Sequence, residues 1–567
     1  MDRRTLPALL LTAVVIVVTP MLFPAPRQSN PPVPDSASTP SGVAAAPTVA
    51  TPPKQTASAA TPPTGARQSA QPSTSLQRAR VETTTVQTTR AIYQIVSPGG
   101  TPATVTLPDY RSLRPGAVKG TPVSLIEPGD QLFHLSYVNG ADTVALNTVS
   151  FRAEPKRTEG NTLVQSLTST SLAKPITLTY RFPADSFIVH LEGVLPGSGG
   201  HLVVSLPARL RSEEADLRED VGYLAVAYRL GATDVKSVSF RSLDTLVRTD
   251  SGAIRWLAER NKYFVVAMVP TGRDSAFRAL RMRGEAHEGS NATVVRAIAI
   301  LPVTGQTFAL SVYAGPQSWD HLRATARELE NVNPYGGWLH GVVQPFATIV
   351  MRLLLWMRDT VNVGYGWVLV IFGVSVRLLM WPLNQNAMRS SMKLQRIQPQ
   401  LTEIQGKYKN DPEKQREAML RLYQDHGMSP FSPILGCLPM LLPMPILFAL
   451  YFVFQNTIEL RGVAFMWLPD LSLKDPLYIT PLFMGVSMFA LSWIGMRGMP
   501  PSPQSKMMLY IMPVMFTVLF WNFASGLNLY YAVQNVAALP QQWLLAHERT
   551  TKADNAKKAP GKGAPSG

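Results

Sequence analysis

Tyr365-Gly-Trp-Val-Leu-Val-Ile-Phe-Gly-Val-Ser-Val-Arg377-Leu-Leu-Met-Trp-Pro-Leu383 is an apolar run long enough to cross a bilayer, and it carries one full charge. A guanidinium keeps its proton at any ordinary pH. Placing one among lipid tails costs about 3 kcal/mol or more, so such a charge points by default to a cavity or partner inside the protein. The competing account is a side chain that snorkels to the interface, because Pro382 and Asn384 show the run ending soon after Arg377. The residue alone leaves both accounts open.

The surroundings are those of a membrane protein. Further apolar runs are expected to cross at 431–454, 477–496, 507–521 and 527–545, beside the one at 364–383. The stretch 338–361 mixes apolar residues with Arg352, Arg358 and Asp359, which suits an amphipathic helix lying in the interface. At the start, Arg3 and Arg4 precede an apolar run, and bulky Phe23 with Pro20, Pro24 and Pro26 makes a poor cleavage site. Residues 1–24 are therefore expected to be an uncleaved signal anchor with a cytoplasmic N-terminus. The loop 384–429 is rich in Lys and Arg, as is the tail 546–567, and Arg497 and Lys506 flank another short loop. All three fall on the side of Arg3 and Arg4 when crossings are counted, while 455–476 holds only Arg461 and Lys474, so the bias agrees with positive-inside.

Between anchor and core the texture changes twice. Residues 25–85 are rich in Pro, Ala, Ser and Thr and lack the apolar area to offset chain entropy, so a disordered linker is expected. From 86 to about 315, short alternating runs such as Thr177-Leu-Thr-Tyr-Arg-Phe182 and Phe187-Ile-Val-His-Leu191 are separated by turn residues. Period two at this spacing predicts an all-β sandwich outside the inner membrane. A short helix at 318–332, with Leu322, Ala326 and Leu329 on one face, closes the domain 86–332. Glu285 and His287 are read as belonging to a solvated loop. The chain has 567 residues, a net charge of +16 and a pI near 9.9, which favours an anionic partner such as nucleic acid, anionic lipid or a ribosome surface. Cys437 is the single cysteine, so neither an intrachain disulfide nor a cysteine metal cluster can form. No nucleophile elbow, Walker loop or His-x-His motif appears, and no catalytic residue, cofactor or metal is assigned.

The basic loop 384–429 has its own pattern. Leu394, Ile397, Leu401, Ile404 and Tyr408 recur at threes and fours. Asn410-Asp-Pro412 then restarts a helix, with an acidic N-cap and proline at the first turn, and Met419, Leu420 and Tyr423 continue it. A cytoplasmic helical hairpin is expected.

Helical spacing also proposes neighbours for Arg377. Gly373 lies one turn before it and Trp381 one turn after. In the last run, Asn528, Tyr531 and Asn535 share a face, Gln534 borders it, and Gln541 and Gln542 extend it toward the cytoplasm. Polar amides at midspan are costly unless bonded or wet. Two polar stripes favour one hydrated cavity over the alternative, amides that bond helix to helix.

Val376-Arg377-Leu-Leu-Met-Trp-Pro-Leu383, Gly436-Cys-Leu-Pro-Met-Leu-Leu-Pro-Met-Pro-Ile-Leu-Phe-Ala-Leu-Tyr451 and Ser525-Gly-Leu-Asn-Leu-Tyr-Tyr531 resemble, in this order, helices of the YidC/Oxa/Alb membrane protein insertases. The resemblance covers roughly 338–549, and the anchor plus large β domain resembles the members from double-membrane (Gram-negative) bacteria. It implies a five-helix core with a groove open to cytoplasm and lipid, in which Arg377 is the groove arginine and Tyr531 meets substrate. It further implies a non-enzymatic insertase that works alone or with the Sec translocon, on nascent membrane proteins, with the ribosome and anionic lipids as partners and no DNA. The chain departs from the family pattern at Gly373 and Pro443, so a less polar groove is expected. Two rivals remain: an anion transporter or channel using the arginine, which would want inverted repeats, and a membrane-anchored envelope binding protein acting through the β domain.

Overall fold

The computed structural model describes residues 82–558, apart from 233–234, 244, 272–274, 289–290, 326–327, 334–339, 383, 386–396, 398–399, 402, 410, 426–443 and 498–505. The expected anchor, Leu394 and Pro443 lie outside the described residues.

Alternation builds the β domain. In Thr177–Pro183 the side chains of Leu178, Tyr180 and Phe182 are buried, while those between them are half-buried. The buried Tyr180 hydroxyl donates to the Gly100 carbonyl at 2.7 Å. Phe264–Pro270 instead has every residue buried, as a continuous apolar run requires of a strand covered on both faces. A 4-stranded sheet forms in chain order from Glu82–Gln87, Ile92–Ser97, Thr101–Arg111 and Pro122–Ser124. The remaining strands form a 15-stranded antiparallel sheet, and the two sheets share one apolar core. The domain is a large β-sandwich.

Local expectations change at three places here. The first strand begins at Glu82, inside the stretch read as linker, because Thr83, Thr84 and Thr85 are β-branched and pair with Val96, Ile95 and Gln94. The helix expected at 318–332 is broken into α2 (Trp319–Ala324) and a 3-10 turn at Leu329–Asn331, with Glu328 left-handed between them. Leu322, Leu329 and Val332 are all buried in the sandwich core, and Glu328 pairs with Arg229 at 2.9 Å. Glu285 and His287 belong to the strand Phe277–Glu288 rather than to a loop, and Glu285 pairs with Arg296 across the ladder. A shorter helix, α1 (Leu217–Val221), is capped by the Asp216 carboxylate.

Glu259 lies in the core and is fully buried. One oxygen accepts from the Leu210 amide at 2.7 Å, and the other has no partner among the described residues. Burial pushes this carboxyl well above its ordinary value. The native chain therefore keeps a proton that the unfolded chain loses near pH 4.3, so this group's stabilising contribution is present below that pH and is lost as pH rises toward the native value. Glu259→Gln should flatten the loss of stability that sets in as pH rises above about 4.3, a slope of at most ~1.4 kcal/mol per pH unit. Thermal unfolding of the full chain across that range checks it, with parallel wild-type and variant profiles as the opposing result.

The helical part follows. α3 (His340–Val361) buries Val343, Ala347, Val350, Met351 and Leu354 along one face. α4 (Tyr365–Leu379) carries Arg377, and the described parts of α3 and α4 meet at a bend of 116°. α5 is Pro412–Asp425, α6 Met444–Asn456 and α7 Ile479–Gly495. A π turn at Met507–Ile511 leads into α8 (Met512–Leu519), and α9 is Ser525–Lys558. α9 runs on through much of the tail expected at 546–567, because no Gly or Pro interrupts the chain from Gln541 to Ala559. Among the described residues no single helix is long and apolar enough to cross a membrane, and the bent pair α3–α4 passes that test together. The 15 residues of α4 span about 22 Å, against an apolar bilayer thickness of about 30 Å.

The segment between α6 and α7 joins the two parts. Arg461 and Glu214 form an ion pair at 2.8 Å with side chains only 4% and 5% exposed. Arg461 also donates to the carbonyls of Arg111 and Glu213, at 2.9 and 3.1 Å, and lies over the rings of Tyr263 and Phe264. Burial pushes the Glu214 carboxyl up to about 7 against the pull of Arg461. Ile458 is buried in the sandwich core, and the Tyr223 hydroxyl donates to Gln455 at 2.9 Å. The same segment seats α9: the amides of Ser525 and Gly526 donate to the carbonyls of Leu473 and Leu471, at 2.7 and 2.9 Å.

Candidate functional site

Arg377 stands two residues before the end of α4, where the helix dipole favours a cation. Its side chain is half-buried and reaches along α9. Its Nη2 donates to Oε1 of Gln541 at 3.0 Å. The Gln541 side chain is buried, and its Nε2 donates to the Trp381 carbonyl at 3.0 Å. One amide thus receives the guanidinium and satisfies a carbonyl just past the end of α4. Nε of Arg377 is buried without a hydrogen-bond partner, and among the described residues no carboxylate pairs with this arginine.

Gly373 is a packing residue. A Cβ there would lie 3.2 Å from Cγ1 of Val533 and 3.5 Å from the Tyr530 ring, so its absence lets α4 and α9 approach closely. Phe372 stacks on Tyr530 at 5.6 Å beside this contact. Gly373→Leu should destabilise the α4–α9 pair by about 1–3 kcal/mol through overpacking, and Gly373→Ala by less. Thermal unfolding checks this ordering; equal midpoints for both variants would remove the close-packing account.

The stripe expected opposite Arg377 is dispersed. Asn528 is buried and donates to the Phe520 carbonyl at 3.2 Å. Asn535 donates to Oγ of Ser487 on α7 at 3.1 Å, which is amide bonding between helices. Gln534 donates to the Tyr530 hydroxyl at 2.6 Å. The Tyr531 ring packs edge-on against Phe520 and Tyr530, at 5.4 and 5.3 Å, and its buried hydroxyl has no partner among the described residues. Of the expected groove residues, Trp381 is joined to Arg377, through its carbonyl and Gln541. Gln541 is the residue that spacing placed beyond the site. The signal was present in the seven-residue step from Gln534 to Gln541, but the extended reach of an arginine toward the helix end carries the contact past the facing turn.

In the basic loop, Ile397 and Tyr423 are buried, and Leu401, Ile404 and Met419 are half-buried. Gln405 contacts the Met419 sulfur at 3.9 Å. α5 starts at Pro412, where the Asp411 carboxylate accepts from the Lys414 amide at 3.1 Å. Among the described residues no group of His, Cys, Asp and Glu is placed to hold a metal ion.

Two family descriptions cover most of the chain: "YidC periplasmic domain" matches residues 83–349 and "60Kd inner membrane protein" matches 356–553. The membrane protein insertase YidC of Chlorobium phaeovibrioides is 33% identical over 404 residues, covering 67% of this chain and 68% of that protein. The chain belongs to the YidC/Oxa/Alb family. Within that family, the YidC of an Anaeromyxobacter species is 37% identical over 299 residues, 51% of each protein. A solved YidC structure, described as an active insertase with its first transmembrane domain resolved, is 19% identical, covers 82% of this chain and 93% of its own, and has a TM-score of 0.32. The β-sandwich is the part that matches the YidC periplasmic domain, and the helical part is the one that matches the inner membrane protein.

Proposed function

We propose that this chain is an inner-membrane insertase. It takes hydrophobic segments and short polar tails of nascent membrane proteins from the cytoplasm into the bilayer, alone or with the Sec translocon. The observation that supports this most directly is the Arg377–Gln541 contact: a cation held inside a helical bundle by a neutral amide, with its Nε unpaired. A carboxylate in a substrate tail offers charge-assisted bonds that an amide does not, so the arginine pairs in passing with acidic residues.

In the proposed topology α4, α6, α7, the segment around α8, and α9 are the crossing elements. The β domain and the Arg461 joint lie on the periplasmic side, and the loop containing α5 and the far end of α9 are cytoplasmic. The basic residues of those cytoplasmic parts meet ribosome and anionic lipid. Short crossing helices such as α4 thin the local bilayer and lower the barrier for polar tails. With no nucleotide-binding loop in the sequence, the driving force is hydrophobic partitioning, aided by the membrane potential.

The test is a photocrosslinking amino acid placed at Gln534 or Ala537 and activated during translation of a substrate. Crosslinks to the nascent chain are expected there and not from lipid-exposed Leu482. Crosslinks from Leu482 alone would move the substrate path away from this site.

A further inference from the structure

A second basic site lies on the opposite part of the helical region, at the foot of the β domain. Trp319 opens α2, the last α-helix of the domain, and two guanidiniums lie over its indole ring. Arg323 of α2 is 4.8 Å from the ring centroid and Arg352 of α3 is 5.0 Å from it. Both arginines are exposed, and among the described residues neither forms an ion pair. Two like charges gathered around one aromatic ring, each within about 5 Å of its centre, repel each other, and the arrangement gains from an anion that both can reach.

The neighbouring surface says which anion. On α3 the side chains of Phe346, Ile349, Leu353 and Trp356 are exposed and follow one another at threes and fours, an apolar stripe turned away from the packed face. Arg352 is three residues after Ile349 and four before Trp356, so it emerges within that stripe. The 116° bend between α3 and α4 places α3 nearer to the membrane plane than to its normal if α4 crosses the bilayer. An apolar stripe bordered by paired guanidiniums matches a molecule with acyl chains below and a phosphate above.

We propose that Arg323 and Arg352, assembled on Trp319, bind the phosphate of a membrane phospholipid. The site rests on the reading that α3 lies in the membrane interface. Because its residues come from both the β domain and the helical part, a bound lipid ties the foot of the domain to the bilayer. Arg accepts this role better than Lys, since its planar fork binds phosphate bidentately while its face stays on the indole.

The experiment uses the full chain in maltoside micelles, with Cys437→Ser and a single bimane-labelled cysteine at Ile349. Dihexanoyl phosphatidylglycerol is added and the emission is followed. A saturable blue shift is expected. The half-saturating concentration should rise about tenfold or more in the Arg323→Gln, Arg352→Gln double variant and by less with lysine at both positions. Dihexanoylglycerol, which lacks the phosphate, should give no saturable response, and inorganic phosphate no shift. Identical titrations for wild type and the double glutamine variant would overturn the site, as would saturation by inorganic phosphate alone. Both arginines are exposed, and an unchanged thermal midpoint confirms that the variant is folded. A water-like emission from position 349 in lipid-free micelles would instead count against the interfacial placement of α3. An apolar emission that ignores phosphate would sink the site and leave that placement standing.

Discussion

Arg377→Ala should reduce insertion of substrates with acidic tails by about tenfold to a hundredfold while leaving neutral tails close to wild type. A hydrogen bond to a charged group contributes about 1.5–3 kcal/mol, and about 1.4 kcal/mol is a factor of ten. The lost interaction exists only when the tail carries a carboxylate, so the defect should scale with tail charge. Arg377→Lys keeps a positive point charge and should retain substantial activity, although its ammonium cannot reproduce the fork that reaches Gln541. Arg377→Glu should be the most damaging for acidic tails, because it adds repulsion to the loss of pairing. The measurement is insertion over a series of tail charges at matched protein levels. An equal defect for neutral and acidic tails would show that Arg377 acts through packing and the Gln541 bridge alone.

The second large effect is expected far from that site. Above pH 7, where the Glu214 carboxyl is ionised, Glu214→Ala should destabilise the joint between the β domain and the helical part by about 3–5 kcal/mol, because it leaves a guanidinium buried without its counter-charge. Arg461 would keep its Nη1 and Nη2 bonds to the carbonyls of Arg111 and Glu213, but its Nε, which donates to Glu214, would lose its acceptor and its charge would be unpaired. Replacing both partners, as in Glu214→Leu with Arg461→Met, should restore most of the loss, since no charge is then left desolvated. Hydrogen exchange of the amides around Ile458–Leu460, with thermal unfolding of the full chain, reports the joint. A loss below about 1 kcal/mol in Glu214→Ala, the range of a solvent-exposed pair, would mean that the pair is not sealed from water in solution.

The sequence displayed the β domain through local rules, and those rules hold wherever one face of a strand is buried. Thr177–Pro183 alternates because its two faces meet different surroundings, so its pattern can be read without knowing its neighbours. The pairing order carries no such mark beyond the hairpins: Phe264–Pro270 pairs with its sequence neighbour Arg248–Arg260 on one side, but on the other with Thr307–Pro316, a relation fixed by contacts distant in sequence. The helix expected at 318–332 kept its apolar face, since Leu322, Leu329 and Val332 all reach one core, but its break after Ala324 and the left-handed backbone of Glu328 had no mark in residue spacing. At the candidate site the arginine and the amide-rich helix were legible, because charge and polarity inside apolar runs are costly and therefore visible. Which amide meets the arginine was not. Side-chain reach and the close α4–α9 approach at Gly373 decide that, and neither is a property of residue spacing.

The Arg461–Glu214 pair spans 247 residues of sequence, and that separation sets an order of events during synthesis. Every strand of the sandwich precedes α6, so the domain can complete its sheets before Arg461 leaves the ribosome. Until then Glu214 feels only the more distant positive charge of Lys262 and remains hydrated, on a surface that includes Tyr263 and Phe264 and is not yet covered. The newborn protein thus passes through a stage in which a finished domain waits with an open acidic socket. Arrival of the α6–α7 segment fills that socket and, through Leu471 and Leu473, prepares the place where α9 will start.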